Sequence, residues 1–208
     1  MSTRASGFDR VPADLYETPA WVVDALAEHV NLTGLSVWEP ACGGGKMVRA
    51  LQSHGADVTA TDLNDQNFEG MADQFDFTVD EIAPGHFYFD SIITNPPYGP
   101  QGRTGTAFIE RGLERLPPGG MLALLLPVDF DSAKGRARLF GDNSHFAAKI
   151  VLRKRICWFD PQPGQAGPSA NHAWFIWIRS HLRHQRPVTL YAPSNEVEKI
   201  NTTPQEAA

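Results

Sequence analysis

Six consecutive residues, Met121–Leu126, carry no polar side chain. A strand with one wet face alternates apolar and polar residues, whereas an unbroken apolar run of this length marks a strand covered on both faces. Such a strand needs helices on both sides of its sheet, which restricts the chain to a layered α/β architecture. The remaining sequence alternates accordingly. Segments 36–41 (SVWEPA), 57–62 (DVTATD), 89–95 (FDSIITN), 119–127, 148–156 and 172–179 read as strands. Segments 19–30, 46–55 and 106–116 place apolar residues at helical spacing, with Thr18 as N-cap and Pro19 as first helical residue of the first, and Gly55 stopping the second. The expectation is a doubly wound, mostly parallel sheet, with the closing strands 148–156 and 172–179, which have no helix between them, forming an antiparallel edge.

A chain of 208 residues suits one medium domain. Residues 15–191 are assigned to it, with an N-terminal arm at 1–14 and a polar tail at 192–208. Two cysteines, Cys42 and Cys157, make no disulfide framework and suit a reducing compartment. The first residues lack the apolar core of a signal peptide, and no run approaches membrane-spanning length, so a cytoplasmic location without membrane contact is expected. The net charge of −6 argues against a broad nucleic-acid footprint. Basic residues nevertheless gather at Lys149, Arg153, Lys154 and Arg155, readable either as a solvated face or as a phosphate-contacting patch.

Two local features carry chemistry. Glu39-Pro40-Ala41-Cys42-Gly43-Gly44-Gly45 joins a strand to a helix, and Asp62 closes the next strand. Glycines there admit a ligand close to the backbone, and a carboxylate at a neighbouring strand end can accept from ribose hydroxyls. The spacing fits neither the GxGxxG dinucleotide turn nor GxxxxGK[ST], since Met47 stands where Ser or Thr is required. The second feature is Asn95-Pro96-Pro97-Tyr98, which ends an apolar strand with two residues that can continue neither strand nor helix.

Together, Glu-Pro-Ala-Cys-Gly-Gly-Gly at 39–45, Asp62, Asn-Pro-Pro-Tyr at 95–98 and Tyr16-Glu17-Thr18-Pro19-Ala20-Trp21 resemble the class I S-adenosylmethionine-dependent methyltransferases. Specifically they resemble the amino-methylating branch typified by DNA adenine-N6 methyltransferases, over most of residues 15–180. The resemblance implies a Rossmann-like, seven-stranded sheet with an antiparallel edge strand, and S-adenosylmethionine as cofactor. It places Tyr16, Thr18, Pro19, Glu39, Pro40, Ala41, Gly43 and Gly45 around the amino-acid half of the cofactor and Asp62 and Leu63 at its ribose. Asp76 and Phe77 fall at its adenine, with Asp73 a rival to Asp76 and core packing the alternative for Phe77. Asn95, Pro96, Pro97 and Tyr98 are implied as catalytic residues, Asn95 also touching the cofactor. Tyr98, with Trp158 or Phe159 opposite, is implied as the substrate-binding face, core packing being the alternative for the last two.

An exocyclic amine on an sp² carbon is a poor nucleophile because its lone pair is delocalised. Two acceptors, the Asn95 side-chain oxygen and the Pro96 carbonyl, would draw it toward tetrahedral geometry, and the prolines would pre-aim the second. Cytosine C5 chemistry needs a cysteine nucleophile that neither Cys42 nor Cys157 supplies. His181 and His184 lack companion ligands, so no metal is expected. The loops 99–105 and 160–172 are candidates to close over substrate. No segment announces itself as a target-recognition domain, which implies relaxed specificity, a homodimer, a partner subunit or a non-duplex substrate. The leading expectation is DNA adenine-N6 methylation. Two alternatives stay open: the same chemistry on RNA adenine or a protein glutamine amide, and a catalytically silent binding subunit of the same fold.

Overall fold

A computed structural model describes residues 16–81, 88–158, 168, 170–179 and 186–192. The arm at 1–14, the tail from 193, Phe159, His181, His184 and most of the 160–172 loop lie outside the described residues. The strands are β1 (Ser36–Glu39), β2 (Asp57–Asp62), β3 (Met71–Gln74), β4 (Ser91–Thr94), β5 (Met121–Pro127), β6 (Phe146–Leu152), β7 (His172–Ile178) and β8 (Val188–Ala192). They form one sheet in the order β3-β2-β1-β4-β5-β7-β6-β8. Every pairing is parallel except the two that β7 makes, with β5 and with β6.

The doubly wound, mostly parallel architecture is therefore present, with two corrections in detail. Eight strands are hydrogen-bonded rather than seven, and the antiparallel strand is not at the edge. β7 is inserted between β5 and β6, with a seven-pair ladder from Met121↔Ile178 to Pro127↔His172. Its composition explains the position: HAWFIWI is buried along six of its seven residues, which an edge strand would leave half wet.

The helices are α1 (Ala20–Ala27), α2 (Lys46–Ser53) and α3 (Arg103–Arg115). α1 buries Val22, Val23, Ala25 and Leu26, and with α2 it covers one face of the sheet, over Val37, Ile93, Ala123, Leu125, Ile150 and Trp174. On the opposite face α3 lays Phe108 and Ile109 against Trp38, Ile92, Leu122, Leu124, Phe175 and Trp177. Successive strand residues point to opposite faces, so each apolar strand feeds both cores at once. Between β5 and β6 the covering element is a pair of 3₁₀ turns, Phe130–Ser132 and Lys134–Leu139, which bring Phe130, Leu139 and Phe140 into the second core.

Thr18 does not cap α1 as expected. Pro19 occupies the N-cap in extended conformation, its carbonyl accepting from the Val22 N–H at 3.0 Å, and Thr18 is buried one residue earlier. Among the described residues no helix is long and apolar enough to cross a membrane.

Candidate active site

The chain winds outward from β1 through β2 to β3, then crosses back to β4 and β5 on the other side. The β1/β4 boundary is thus the point where strand order reverses, and loops leaving neighbouring strand ends in opposite directions open a crevice there. A cavity of about 560 Å³ occupies it. That volume falls in the range, roughly 300–1,000 Å³, of sites for small organic ligands.

The floor is built from β1 and the glycine turn. Glu39, 1% exposed, ends β1 and accepts the Ala41 N–H at 3.0 Å. Burial is the main influence on its carboxyl and lifts it to about 8; the Thr94 hydroxyl and the Ala41 N–H pull the other way, and Asp62 adds a smaller upward push. Asp62, at the end of β2, accepts the Gly43 N–H on Oδ2 and the Asn64 N–H on Oδ1, both at 3.0 Å. These two bonds fix the carboxylate plane while each oxygen keeps a second lone pair for a ligand. Cys42 is buried between them, its thiol pushed up to about 12 by burial and by the two neighbouring carboxylates, so it is held neutral and unreactive.

Gly45 turns the chain into α2 with φ +80°. A Cβ there would meet the Phe68 ring at 2.4 Å, whereas one on Gly34, at φ +77°, would meet nothing within 4 Å. Gly34→Ala is expected to cost about 1 kcal/mol, the left-handed backbone penalty alone, and Gly45→Ala about 2–4 kcal/mol because the ring must also move. Urea midpoints of the two variants measure the difference, and equal losses would disprove the crowding.

The roof is the segment Tyr16–Thr18. Glu17 pairs with Lys46 at 2.8 Å, and the Tyr16 carbonyl accepts from Asn95 Nδ2 at 3.2 Å. The side wall is Phe75, Asp76, Phe77 and Thr78. Asp76 turns its Oδ1 to the Thr78 N–H and hydroxyl, at 2.9 and 2.6 Å, while Phe77 stacks on Phe108 at 4.7 Å and meets Trp38 edge-on at 5.0 Å. Phe77 is packed in the core and also borders the cavity. Asp73, its carboxylate neighbour in sequence, sits on exposed β3 and does not line the cavity.

Asn95 closes the crevice at the tip of β4. Its Oδ1 accepts the Tyr98 hydroxyl at 3.2 Å, so both ends of the carboxamide are held. Of the residues singled out in the sequence, Tyr16, Thr18, Glu39, Pro40, Ala41, Gly43, Asp62, Leu63, Asp76, Phe77, Asn95 and Pro97 line the cavity. Pro19, Gly45, Pro96, Tyr98 and Trp158 do not line it. Trp158 leans on Tyr16 at 5.4 Å, and buried His172 touches both Trp158, at 5.3 Å, and Tyr98, at 6.2 Å.

Sequence reasoning gave no individual role to Glu17, named only within the segment 16–21, or to His172 and Arg115. Arg115, on α3, donates to the Phe77 and Asp80 carbonyls beneath the Phe77 ring and so clamps the side wall to the helix. None of the three lies near its partners in the chain, so local pattern carried no signal for them.

Three lining carboxylates, Glu17, Asp62 and Asp76, together with the buried, protonated Glu39 carboxyl, face one lining ammonium, Lys46, which Glu17 already pairs. This charge balance repels phosphates and suits a cationic ligand with hydroxyls and a flat apolar end. S-adenosylmethionine, with its sulfonium, ammonium, ribose and adenine, fits that description.

No protein-family model matches the chain, and no curated protein matches it in sequence. Solved structures do match in fold. A Listeria monocytogenes protein assigned to the class I S-adenosylmethionine-dependent methyltransferases aligns over 93% of this chain and 67% of its own, at TM-score 0.59 and 18% identity. A Pyrococcus horikoshii protein assigned as an RNA methyltransferase aligns over 85% and 92%, at TM-score 0.55 and 14% identity. A modification subunit assigned to a type I restriction enzyme of Vibrio vulnificus aligns over 92% of this chain and 50% of its own, at TM-score 0.53 and 17% identity. The chain has the Rossmann-like class I methyltransferase fold.

Proposed function

We propose that this protein transfers a methyl group from S-adenosylmethionine to an exocyclic planar amine, adenine N6 of DNA. The observation that carries the reading is Asn95: a carboxamide fixed at both ends, at the tip of a strand, in the wall of the cavity that Glu39 and Asp62 also line. The Asn-Pro-Pro-Tyr sequence, with its resemblance to DNA adenine-N6 methyltransferases, supports the DNA acceptor.

When bound, the cofactor supplies an electrophilic methyl on a sulfonium. The residues of the chain do the rest. Glu39 and the glycine turn hold the cationic amino-acid end, and Asp62 takes the ribose diol with its remaining lone pairs. Phe77 and Asp76 flank the adenine. Anchoring of Asn95 Nδ2 on the Tyr16 carbonyl sets which end of the amide accepts: Oδ1 receives one N–H of the target amine and the Pro96 carbonyl the other. Both acceptors oppose delocalisation of the nitrogen lone pair, and neither must reorganise during the reaction. No strong base is required, because the methylated amine sheds its extra proton to water.

The test is incubation with isotopically labelled S-adenosylmethionine and separate DNA, RNA and protein pools, with mass spectrometry of the hydrolysates. The expected product is N6-methyldeoxyadenosine. Label in N6-methyladenosine of RNA or in glutamine would move the acceptor while keeping the chemistry; label in 5-methylcytosine, or in nothing, would overturn the reading.

A further inference from the structure

The basic residues grouped at 149–155 separate in the folded chain. Lys149 is inside, 17% exposed, with its ammonium on both oxygens of Asp131 at 2.8 and 2.9 Å. Arg153, Lys154 and Arg155 follow the end of β6 and are all exposed. Among the described residues Lys46, Arg111, Arg138 and Lys149 each pair with a carboxylate, and these three do not. In a chain of net charge −6 they are a concentrated, unneutralised cationic patch.

The position of the patch matters more than its charge. β6 runs parallel to β4, because β7 is antiparallel to both β5 and β6, so residues beyond Leu152 emerge at the same end of the sheet as Asn95. Arg155 is aimed by bonds to Asn171 Oδ1 at 3.0 Å and the Pro168 carbonyl at 3.3 Å, and Lys154 lies over the Trp21 ring at 5.1 Å. Three residues further on, Trp158 rests against Tyr16, whose carbonyl holds Asn95. Contacts from Trp158 through Tyr16 thus link the segment that carries the patch to the proposed catalytic amide.

We propose that Arg153, Lys154 and Arg155 form a phosphate-contacting ridge that receives the nucleic-acid strand whose base is presented to Asn95; this rests on the reading of the site given above. Three strand spacings, β4 to β5 to β7 to β6, at about 4.8 Å each separate the two, roughly 14 Å in all. A strand advances about 3.4 Å per nucleotide, so the ridge meets phosphates about four nucleotides from the target base. Guanidinium forks and an ammonium suit phosphodiester oxygens, and the acidic remainder of the chain repels a polyanion, confining it to this end of the sheet. The contacts position the strand without reading its sequence.

The test needs no turnover in its first arm. Binding of a fluorescent, adenine-free DNA duplex is measured by anisotropy between 50 and 200 mM salt for the wild type, Arg153→Gln/Lys154→Gln/Arg155→Gln and, as a single-charge control at the opposite end of β8, Arg186→Gln. With a slope of about −0.9 per phosphate contact, the triple variant loses about 2–3 from the slope of log K against log salt, and the control is unchanged. Should loss of the Arg155 bonds disturb folding, Arg153→Gln/Lys154→Gln removes only the two side chains without a protein hydrogen bond, and the slope still falls by about 2. In the second arm, adenine flanked by eight nucleotides on each side shows a KM raised about tenfold or more in the triple variant with kcat kept, while adenine flanked by two shows equal KM for both proteins. An unchanged slope, an equal KM effect on short and long substrates, or a polyglutamate probe bound in place of DNA overturns the ridge. Failure of the adenine reading is distinguishable: salt-dependent DNA binding would then persist with no methylation.

Discussion

Asn95→Ala is expected to slow methyl transfer by about 10²- to 10³-fold, the loss that follows removal of one preorganised hydrogen-bonding group aimed at a reacting centre. The variant also releases the Tyr16 carbonyl, so a modest weakening of cofactor binding accompanies the rate loss. Asn95→Asp separates the two effects. It keeps an acceptor for the amine but turns a carboxylate oxygen onto the Tyr16 carbonyl, where the amide now donates at 3.2 Å. That variant should bind S-adenosylmethionine about tenfold more weakly, one lost hydrogen bond or like-dipole contact being worth roughly 1.4 kcal/mol, and at saturation it should react faster than the alanine variant. Tyr98→Phe removes only the hydroxyl on Oδ1 and keeps the ring, so its rate should stay within about tenfold of wild type. Single-turnover rates with labelled cofactor measure all three, and methylation by Asn95→Ala at the wild-type rate would sink the assigned role.

The features of the site that were legible in the sequence are those in which geometry is local. The glycine turn, the acid closing the next strand and the proline pair after Asn95 each express a backbone requirement within a few consecutive residues, and β5 announces its double coverage by having no polar residue to hide. Elements fixed by distant partners left no such mark. β3, MADQ, is polar and exposed, yet it is a strand because β2 offers it a ladder, with a register shift at Ala60/Thr61. β8, VTLYA, buries only Ala192 and gains its place by pairing with β6. HAWFIWI announces an interior place by its apolar run but not which two strands flank it; the ladders with β5 and β6 decide that. The same distinction divides the basic run. Lys149 lies on the half-buried face of β6 and finds Asp131, a partner invisible at 18 residues' separation, while the cations beyond the strand's end escape neutralisation.

Glu39 carries a large effect on stability as well as on binding, and its sign runs opposite to that of most carboxylates. Its folded value, about 8, lies above the ordinary 4.5, so the stability that its protonated form lends is complete below pH 4.5 and is lost as pH rises toward 8. Burial pushes the His172 imidazole down from 6.5 to about 4, so its contribution is complete above pH 6.5 and lost as pH falls toward 4. Between pH 4.5 and 6.5 the two slopes cancel. From 6.5 to 8 only Glu39 acts, and over those 1.5 pH units stability should fall by about 2 kcal/mol. Glu39→Gln keeps the shape and the neutral state, so urea midpoints should stay flat from pH 6.5 to 8 and exceed wild type at the alkaline end. The gain comes with a loss of affinity. A cation entering the cavity favours the ionised carboxylate, so binding of S-adenosylmethionine near pH 7 should expel up to one proton, detectable by calorimetry in buffers of different ionisation enthalpy. The glutamine variant should bind without proton release and about tenfold or more weakly, consistent with loss of a buried charge–charge contact. A wild-type chain that grows more stable from pH 6.5 to 8 would contradict the buried, protonated carboxyl. Binding without proton release would place the cofactor's charge away from it. Both outcomes bear on one arrangement: a desolvated acid at the end of β1 whose cost to the empty protein is recovered only when a cation sits beside it.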